Sequence, residues 1–439
     1  MVFPKAAEEI LTSHGVNVSG WYIPPSGAPY EEMTLRSQCA ELKECKTNDE
    51  LQSIVQEVCK EYPRTKNSIS DIRNQVHIDM VMQSINPQAT PAFPMSLWFA
   101  TNEELLTNQA ALVYCVRMAQ WRVEVLSHIN QDELETRLQD DPSWAVRSRL
   151  ADPVTVLLKK EGTKANKIAE FRYRYVCAES FTDQLVEKLL FLKQDAAEIV
   201  LWHSIPSKSG MGLDDDKARE LYDYARILGL NLSTDVRAWD LWVLLEWLKA
   251  ESEARIHLNK TPCSAWANSV RNVNLISAYR VLCLSDGRMY TRTIPGGMAS
   301  GRKVTSSSNA RMRKFLVHLT ARDHSYVPAN MSQGDDTVEA VPAWVTDQDV
   351  IQSAAKRSVP ISDVYRNATQ YSFCSQTISL RNGSIHVVPE RPMKMLVHYF
   401  MNLDGPGRRQ ARNSIAVNMR HHPQKEIYLL ACDTVLPPQ

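Results

Sequence analysis

The sequence lacks the features that mark several broad classes. No uninterrupted apolar run approaches the roughly 20 residues that span a bilayer, and the opening MVFPKAAEEILTSHG has no basic start leading into an apolar block. These absences predict a protein that stays in the cytosol, with no integral membrane segment. No C-x-x-C pair occurs and the nine cysteines are odd in number, which fits reduced, mostly buried thiols better than a disulfide framework. Cys39, Cys45 and Cys59 lie near one another in the chain, but without a fourth local ligand they do not make a zinc site. Net charge is missing too, because 50 basic and 50 acidic side chains cancel. Any affinity for phosphate must therefore come from local clustering. There is no internal repeat and no low-complexity segment.

What is present is ample for a folded protein: 439 residues, 44% hydrophobic and 23% charged, enough for a large core and two or three subdomains. The first 150 residues read as mainly helical. In TNEELLTNQAALVYCVRMAQWRVEVLSHI, Thr101 or Asn102 can cap one long helix with an apolar face of Leu106, Leu112, Val113, Val116, Met118 and Val123. From Asp152 the texture changes to two strand-like runs, 154–158 and 171–176, around a basic loop. A helix over 182–202 follows. A second helix begins at Asp214, Asp215 and Asp216 and ends at Gly229, and these three acids read as N-cap chemistry, not a metal site. A short strand ends near Asp235, an apolar helix follows Asp240, and a Gly-containing loop over 295–304 enters a basic helix. From about Pro389 the chain becomes a small basic tail.

Four segments carry chemistry. In NMSQGDDTVEAV, Gly334 precedes the adjacent carboxylates Asp335 and Asp336 at the tip of a predicted hairpin, whereas a turn needs only one such side chain. In TDVRAWDLW, Asp235 lies at a strand end with Asp240 five residues on. If that strand pairs beside the hairpin, the carboxylates converge on a site able to take two divalent cations, which gives the like-charge repulsion a purpose. In SGRKVTSSSNARMRK, Ser300 and Gly301 allow close approach to a backbone, and Thr305 and Asn309 fall four apart on one helix face. Asn309 with Asp240 can test for the 2′-hydroxyl that distinguishes ribonucleotides. Lys159, Lys160, Arg172 and Arg174 form a basic cluster suited to a triphosphate, with Arg172 and Arg174 expected on one side of a strand. Arg302, Lys303, Arg311, Arg313 and Lys314, with Arg408, Arg409 and Arg412, could line a groove for an RNA backbone.

These segments, in this order, resemble the motifs of viral RNA-dependent RNA polymerases of the sobemovirus and luteovirus-like group. DVRAWD is similar to the first palm motif, SGRKVTSSSN to the second and GDDTVE to the third. KKEGTKANKIAEFRYRYV is similar to the basic fingers motif, and FCS at 373–375 to the segment leading to the thumb. The resemblance implies an α+β right hand with a short antiparallel palm sheet backed by helices. It implies fingers over 1–230 with the basic motif at 159–174, palm over 231–260 and 300–388, a fingers–palm connection over 261–299, and a small thumb over 389–439. It makes Asp235 and Asp335 the principal catalytic metal ligands for two Mg²⁺ or Mn²⁺ ions, and Asp336 an auxiliary one. Asp240 and Asn309, supported by Thr305, become the sugar-selecting pair, and Lys159, Lys160 and Arg174 become contacts to the triphosphate. The implied partners are RNA template and nascent RNA, nucleoside triphosphates, and a protein primer or other viral replication proteins, in replication complexes of the host cytoplasm. For the acid that protonates pyrophosphate, Lys356 and Arg357 are candidates by position only. The alternatives are a non-catalytic RNA-binding scaffold and a reverse transcriptase.

Overall fold

The computed structural model describes residues 2–42, 48–401 and 407–436. Helix α1, Lys5–Ser13, buries Ala7 and Leu11. The two-residue strand β1, Trp21–Tyr22, follows. Helix α2, Asn48–Cys59, contributes Leu51, Ile54, Val55 and Val58 to the main core. Cys59 is buried in that core and Cys39 is partly exposed, while Cys45 lies outside the described residues.

The long helix expected after Thr101 is two helices, α3, Asn102–Thr107, and α4, Gln109–His128. Thr101 caps the first, and Asn108 interrupts the run because its side chain accepts from the Ala111 amide at 3.1 Å and caps the second. The buried stripe of α4 is Cys115, Ala119, Val123 and Leu126, while Val113 is 37% exposed. Small residues are buried there because α4 packs against helices on two sides.

Strand β2, Val154–Leu158, β3, Thr163–Lys164, and β4, Tyr175–Ala178, form the basic region. β4 starts four residues later than expected: Phe171 has φ +51°, which breaks an extended run, so Arg172 and Arg174 precede the strand. Helix α5, Phe181–Val200, is capped by Ser180 and buried along most of its first half, whereas Ile199 and Val200 at its end are exposed. The acidic start of α6, Asp215–Ile227, is a cap, with Asp214 accepting from the Lys217 amide at 3.0 Å.

Strand β5, Leu232–Val236, leads through Arg237 and Ala238 into the single-turn α7, Trp239–Trp242, then α8, Leu245–His257, and α9, Ser264–Ala278. Helix α8 packs on α2, and α9 on α4. Strands β6, Leu282–Cys283, and β7, Met289–Tyr290, return to the β2 sheet, in the order β4-β2-β6-β7. Thus 261–299 is built into the same body as residues 154–178. Helix α10, Thr305–Asp323, then runs through the centre of the molecule.

Strands β8, Asn330–Gln333, and β9, Asp336–Glu339, form the hairpin, and after helix α11, Asp347–Ala355, strand β10, Ile361–Arg366, completes an antiparallel sheet in the order β10-β5-β9-β8. Met331 and Val338 pack with Leu221, Tyr222 and Ala225 of α6, whereas Thr234 and Thr337 reach Arg313 of α10. The short antiparallel sheet backed by helices is the expected architecture. A three-stranded sheet follows: β11, Gln370–Phe373, β12, Gln376–Arg381, and β13, Ser384–Pro389. Cys374 and Ser375, both at positive φ, make the β11–β12 turn.

The tail forms α12, Pro392–Met401, α13, Arg408–Asn418, and α14, Lys425–Asp433. It is not built from the tail alone. Phe3, Ala7, Leu11 and Val16 share a separate core with Leu396, Val397, Phe400, Tyr428 and Cys432. Residues 1–230 are therefore not one unit, since the first helix belongs to the C-terminal one. Among the described residues no helix is long and apolar enough to cross a membrane.

Candidate active site

The hairpin and β5 bring the acidic segments together. Thr234 of β5 pairs directly with Thr337 of β9, and Gln333 pairs with Asp336 across a two-residue loop of Gly334 and Asp335. Gly334 has φ +60°, a conformation that this tight turn needs and that glycine adopts without penalty. Because side chains alternate along a strand, Asp235 and Asp336 face the side opposite the Thr234–Thr337 pair. Asp235 and Asp335 act on each other electrostatically. Burial first, then the Asp335 charge, raises the Asp235 carboxyl, and the same two causes push Asp336 up to about 7.

Asp240 is carried by the turn after β5. Ala238 has φ +52°, a left-handed residue that reverses the chain into α7. A bulky side chain would fit this conformation poorly. Asn309 Nδ2 donates to Asp240 Oδ1 at 3.2 Å, so the two residues expected to act as a pair do meet. Burial pushes the Asp240 carboxyl up to about 6, Asp335 adds to the rise, and the Asn309 hydrogen bond opposes it. The Asn309 carbonyl oxygen is buried without a partner, an acceptor left open beside Asp240.

Ser300 and Gly301 lie against β4. The Gly301 amide donates to Cys177 O at 2.9 Å, and Ser300 Oγ accepts from the Cys177 amide at 3.1 Å. A Cβ on Gly301 would sit 2.5 Å from that carbonyl, so only glycine fits. Thr305 Oγ1 donates to Ala299 O at 2.7 Å. These three residues shape the loop that delivers Asn309 and direct their polar groups into the protein.

The basic residues divide into two groups. Lys159, Lys160 and Arg174 are exposed, and Lys159 and Arg174 pair with Glu161 at 3.5 and 3.3 Å. Arg172 turns instead to Glu170 at 2.8 Å. The groove expected from α10 is not there. Arg302 is 4% exposed and bound to Glu187, Arg311 is fully buried against Glu198 and Glu251, and Arg313 is 1% exposed. Burying a guanidinium without a partner is costly, and the partners are internal, acids for Arg302 and Arg311 and threonine oxygens for Arg313, so these arginines hold the core together and do not face an RNA backbone. Lys314 is also buried, against Glu61 at 2.8 Å, and the half-buried Lys303 offers its backbone amide to Glu187. Of the tail arginines, Arg412 pairs with Asp433, and Arg409 is exposed. Neither candidate for the pyrophosphate acid is suitably placed. Arg357 is buried against Asp323 and Glu50, and Lys356 pairs with the same Asp323 at the far end of α10. At 1.5 Å per residue, Asp323 lies about 21 Å along the helix from Asn309.

Arg313 has a role that its charge alone does not signal. Its Nε donates to Thr337 Oγ1 at 2.9 Å and its Nη2 to Thr234 Oγ1 at 2.5 Å, tying both acid-bearing strands to α10 from behind. Among the described residues no three Asp, Glu, His or Cys side chains form a ready-made metal cage. Two or three carboxylates on an open face nevertheless suit a hard cation such as Mg²⁺, which keeps waters and takes further oxygens from phosphates. Burial first and the Asp335 charge second raise the Asp235 and Asp336 carboxyls, and a bound cation would oppose that rise.

Comparison with known proteins agrees with this arrangement. A family profile described as viral RNA-directed RNA-polymerase matches residues 32–225 and 246–369. The replicase polyprotein P2AB of Southern bean mosaic virus is 31% identical over 77% of this chain, which covers 35% of that polyprotein. The chain thus spans about a third of the length of such relatives. The RNA-directed RNA polymerase of Mushroom bacilliform virus is 28% identical over 68% of this chain and 71% of its own length. Among solved structures, the RNA-dependent RNA polymerase of a human picorbirnavirus superposes with a TM-score of 0.62 over 98% of this chain and 78% of its own, at 13% identity, which is a likeness of fold. With the profile covering well over half of its residues, and with its acidic strands, Asn309 helix and hairpin arranged as described, the chain belongs to the viral RNA-directed RNA polymerase family.

Proposed function

We propose that this chain synthesises RNA on an RNA template, joining nucleoside triphosphates to an RNA 3′ end, in viral genome replication and transcription. The observation that carries the reading is the convergence of Asp235 and Asp335 on one edge of the β5–β9 pair, with the Asp240–Asn309 pair beside them. In this reading Asp235 and Asp335 would hold two Mg²⁺ or Mn²⁺ ions, with Asp336 adjusting their surroundings, and the ions would supply charge neutralisation for nucleotidyl transfer. The chain's own groups do the rest. Asp240 and Asn309 offer an acceptor and an amide to a ribose hydroxyl, and Lys159, Lys160 and Arg174 offset the charge of the triphosphate. A reverse transcriptase would exclude the hydroxyl that this pair is suited to bind, and a scaffold would leave the converged acids without use. The partners are RNA template, nascent RNA and nucleoside triphosphates, with a protein primer or other viral replication proteins in complexes of the host cytoplasm.

The test is incorporation of labelled nucleotide on a defined single-stranded RNA, with and without primer, in Mg²⁺ and in Mn²⁺. The parent chain is expected to incorporate nucleotide only with a divalent cation. Asp335→Asn is expected to lose nearly all incorporation while keeping RNA binding. A variant as active as the parent would remove the metal assignment.

A further inference from the structure

One buried carboxylate gathers cations from two separate parts of the fold. Glu161, in the loop after β2, is 10% exposed at its side chain and lies 3.5 Å from Lys159 Nζ, 3.3 Å from Arg174 Nη1 and 3.4 Å from Lys394 Nζ. Lys159 and Arg174 belong to the basic region around β2 and β4. Lys394 comes from the first turn of α12 in the C-terminal unit. The four groups carry a net charge of +2, and the exposed side of the cluster is cationic, since Arg174, Lys159 and Lys394 are 58%, 43% and 34% exposed.

The cluster joins two parts of the fold at one carboxylate, since Lys159 and Arg174 flank β2 and β4 while Lys394 lies on α12. The junction holding Lys394 is tight: a Cβ on Gly162 would lie 2.0 Å from Val397 Cγ1, and Lys164 Nζ sits 4.2 Å over the Trp21 ring. Lys394 is thus held beside Arg174 by close packing as well as by Glu161. A single carboxylate cannot saturate three cations that carry eleven N–H donors between them. A polyphosphate supplies the further oxygens.

We propose that Lys394 is a further binding residue for the triphosphate of the incoming nucleotide, supplied by the C-terminal helical unit, with Glu161 pre-gathering it beside Lys159 and Arg174. This rests on the polymerase reading, and it extends the triphosphate site to a second part of the fold. The bland alternative is that Lys394 and Glu161 only latch the two parts together.

The two are separable by equilibrium binding, measured calorimetrically on the full chain without RNA, using inorganic triphosphate and a non-hydrolysable ATP analogue as probes. Lys394→Met is expected to weaken both by about tenfold, the loss of one charge-assisted contact, with Lys394→Arg close to the parent. The deciding comparison is made in a Glu161→Gln background, where the latch is already broken. There, with Lys394 still placed by the packing of α12, Lys394→Met is expected to weaken triphosphate binding again, by less than tenfold because Glu161 no longer gathers it. Loss of that second effect, or unchanged binding by Lys394→Met in both backgrounds, would overturn the proposal. Melting of each variant identifies any that fails to fold, in which case Lys394→Gln takes the place of Lys394→Met. Nucleotide incorporation by the parent is scored separately: a parent that binds triphosphate but extends no RNA overturns the polymerase reading alone and leaves Lys394 as a polyphosphate ligand.

Discussion

Arg313 shows how one side chain can set the geometry of a site it does not face. It is 1% exposed, holds Thr234 and Thr337 from behind, and feels the charges of Glu339, Asp335, Asp235 and Asp336. Thr234 and Thr337 each precede or follow an acid by one residue, so a shift at either hydroxyl moves a carboxylate. A misplacement near 1 Å can cost about 100-fold in rate, and Arg313→Met is expected to lower single-turnover incorporation by about that factor, with Lys intermediate because it lacks the fork. Thr337→Val, which keeps shape but removes the acceptor, should reproduce part of the loss, and an unaffected rate in a folded Arg313→Met variant would remove the clamp. At the same scale, Asp240→Ala or Asn309→Ala is expected to reduce the preference for ribonucleotides over deoxyribonucleotides about tenfold or more, read as a ratio of kcat/KM values. The placements of Asp235, Asp240, Asn309 and the Asp335 hairpin were legible in the sequence because each lies near a strand end, in a local turn or on one helix face. Arg302 and Arg311 were not, because the acids that neutralise them lie 60 to 115 residues earlier in the chain. A run of basic residues reads as a solvated face until its distant partners are known.

At the scale of elements, the corner between β4 and α5 is where the sheet around β2 meets the loop that delivers Asn309. Glu179 occupies that corner, 6% exposed, with one carboxylate oxygen buried and unpartnered, close to Glu187 and opposed by Arg302 and Arg280. Burial, with the Glu187 charge next, pushes its carboxyl up to about 8 from an ordinary 4.5. The folded protein therefore keeps a proton that the unfolded chain releases near pH 4.5. The stabilisation from that proton is full below about 4.5 and is lost as pH rises through about 8. Melting temperature is expected to fall between pH 5 and 8, and Glu179→Gln, which mimics the protonated form, should flatten the slope. Some slope remains, because Glu339 is raised to about 7 by burial and titrates in the same range. A Glu179→Gln profile parallel to that of the parent would contradict the assignment. The strand and helix boundaries at this corner were legible only in part. The run of 171–176 has the β-branched and aromatic character of a strand, yet the left-handed backbone at Phe171 delays β4 to Tyr175, and no composition rule exposes that turn.

Across the whole molecule, the chain begins in the unit where it ends. Helix α1 packs with α12 and α14, while β1, a few residues later, pairs antiparallel with β3 of the basic region. The segment between them ties the C-terminal unit to the basic region. Sequence order conceals this, because α1 is separated from its partners by nearly the full chain, and a helix with an apolar stripe can be assigned to any core. The small C-terminal core, with Phe3, Leu11, Val397 and Cys432, is distinct from the main core, with Trp239, Trp247, Phe181 and Phe315. Leu11 is fully buried in the first, and its truncation to Ala is expected to cost about 2–5 kcal/mol. Because that core is small and separate, the loss should loosen α12, α13 and α14 before the rest of the chain. Limited proteolysis of Leu11→Ala is expected to cleave after about residue 390 at a protease concentration that leaves the parent intact, with the remaining fragment resistant. If cleavage instead begins evenly through the chain, the two cores melt as one and α1 is no fastener of the C-terminal unit. Selective cleavage would also predict weaker triphosphate binding in the same variant, since Lys394 reaches the basic cluster only while α12 is held in place.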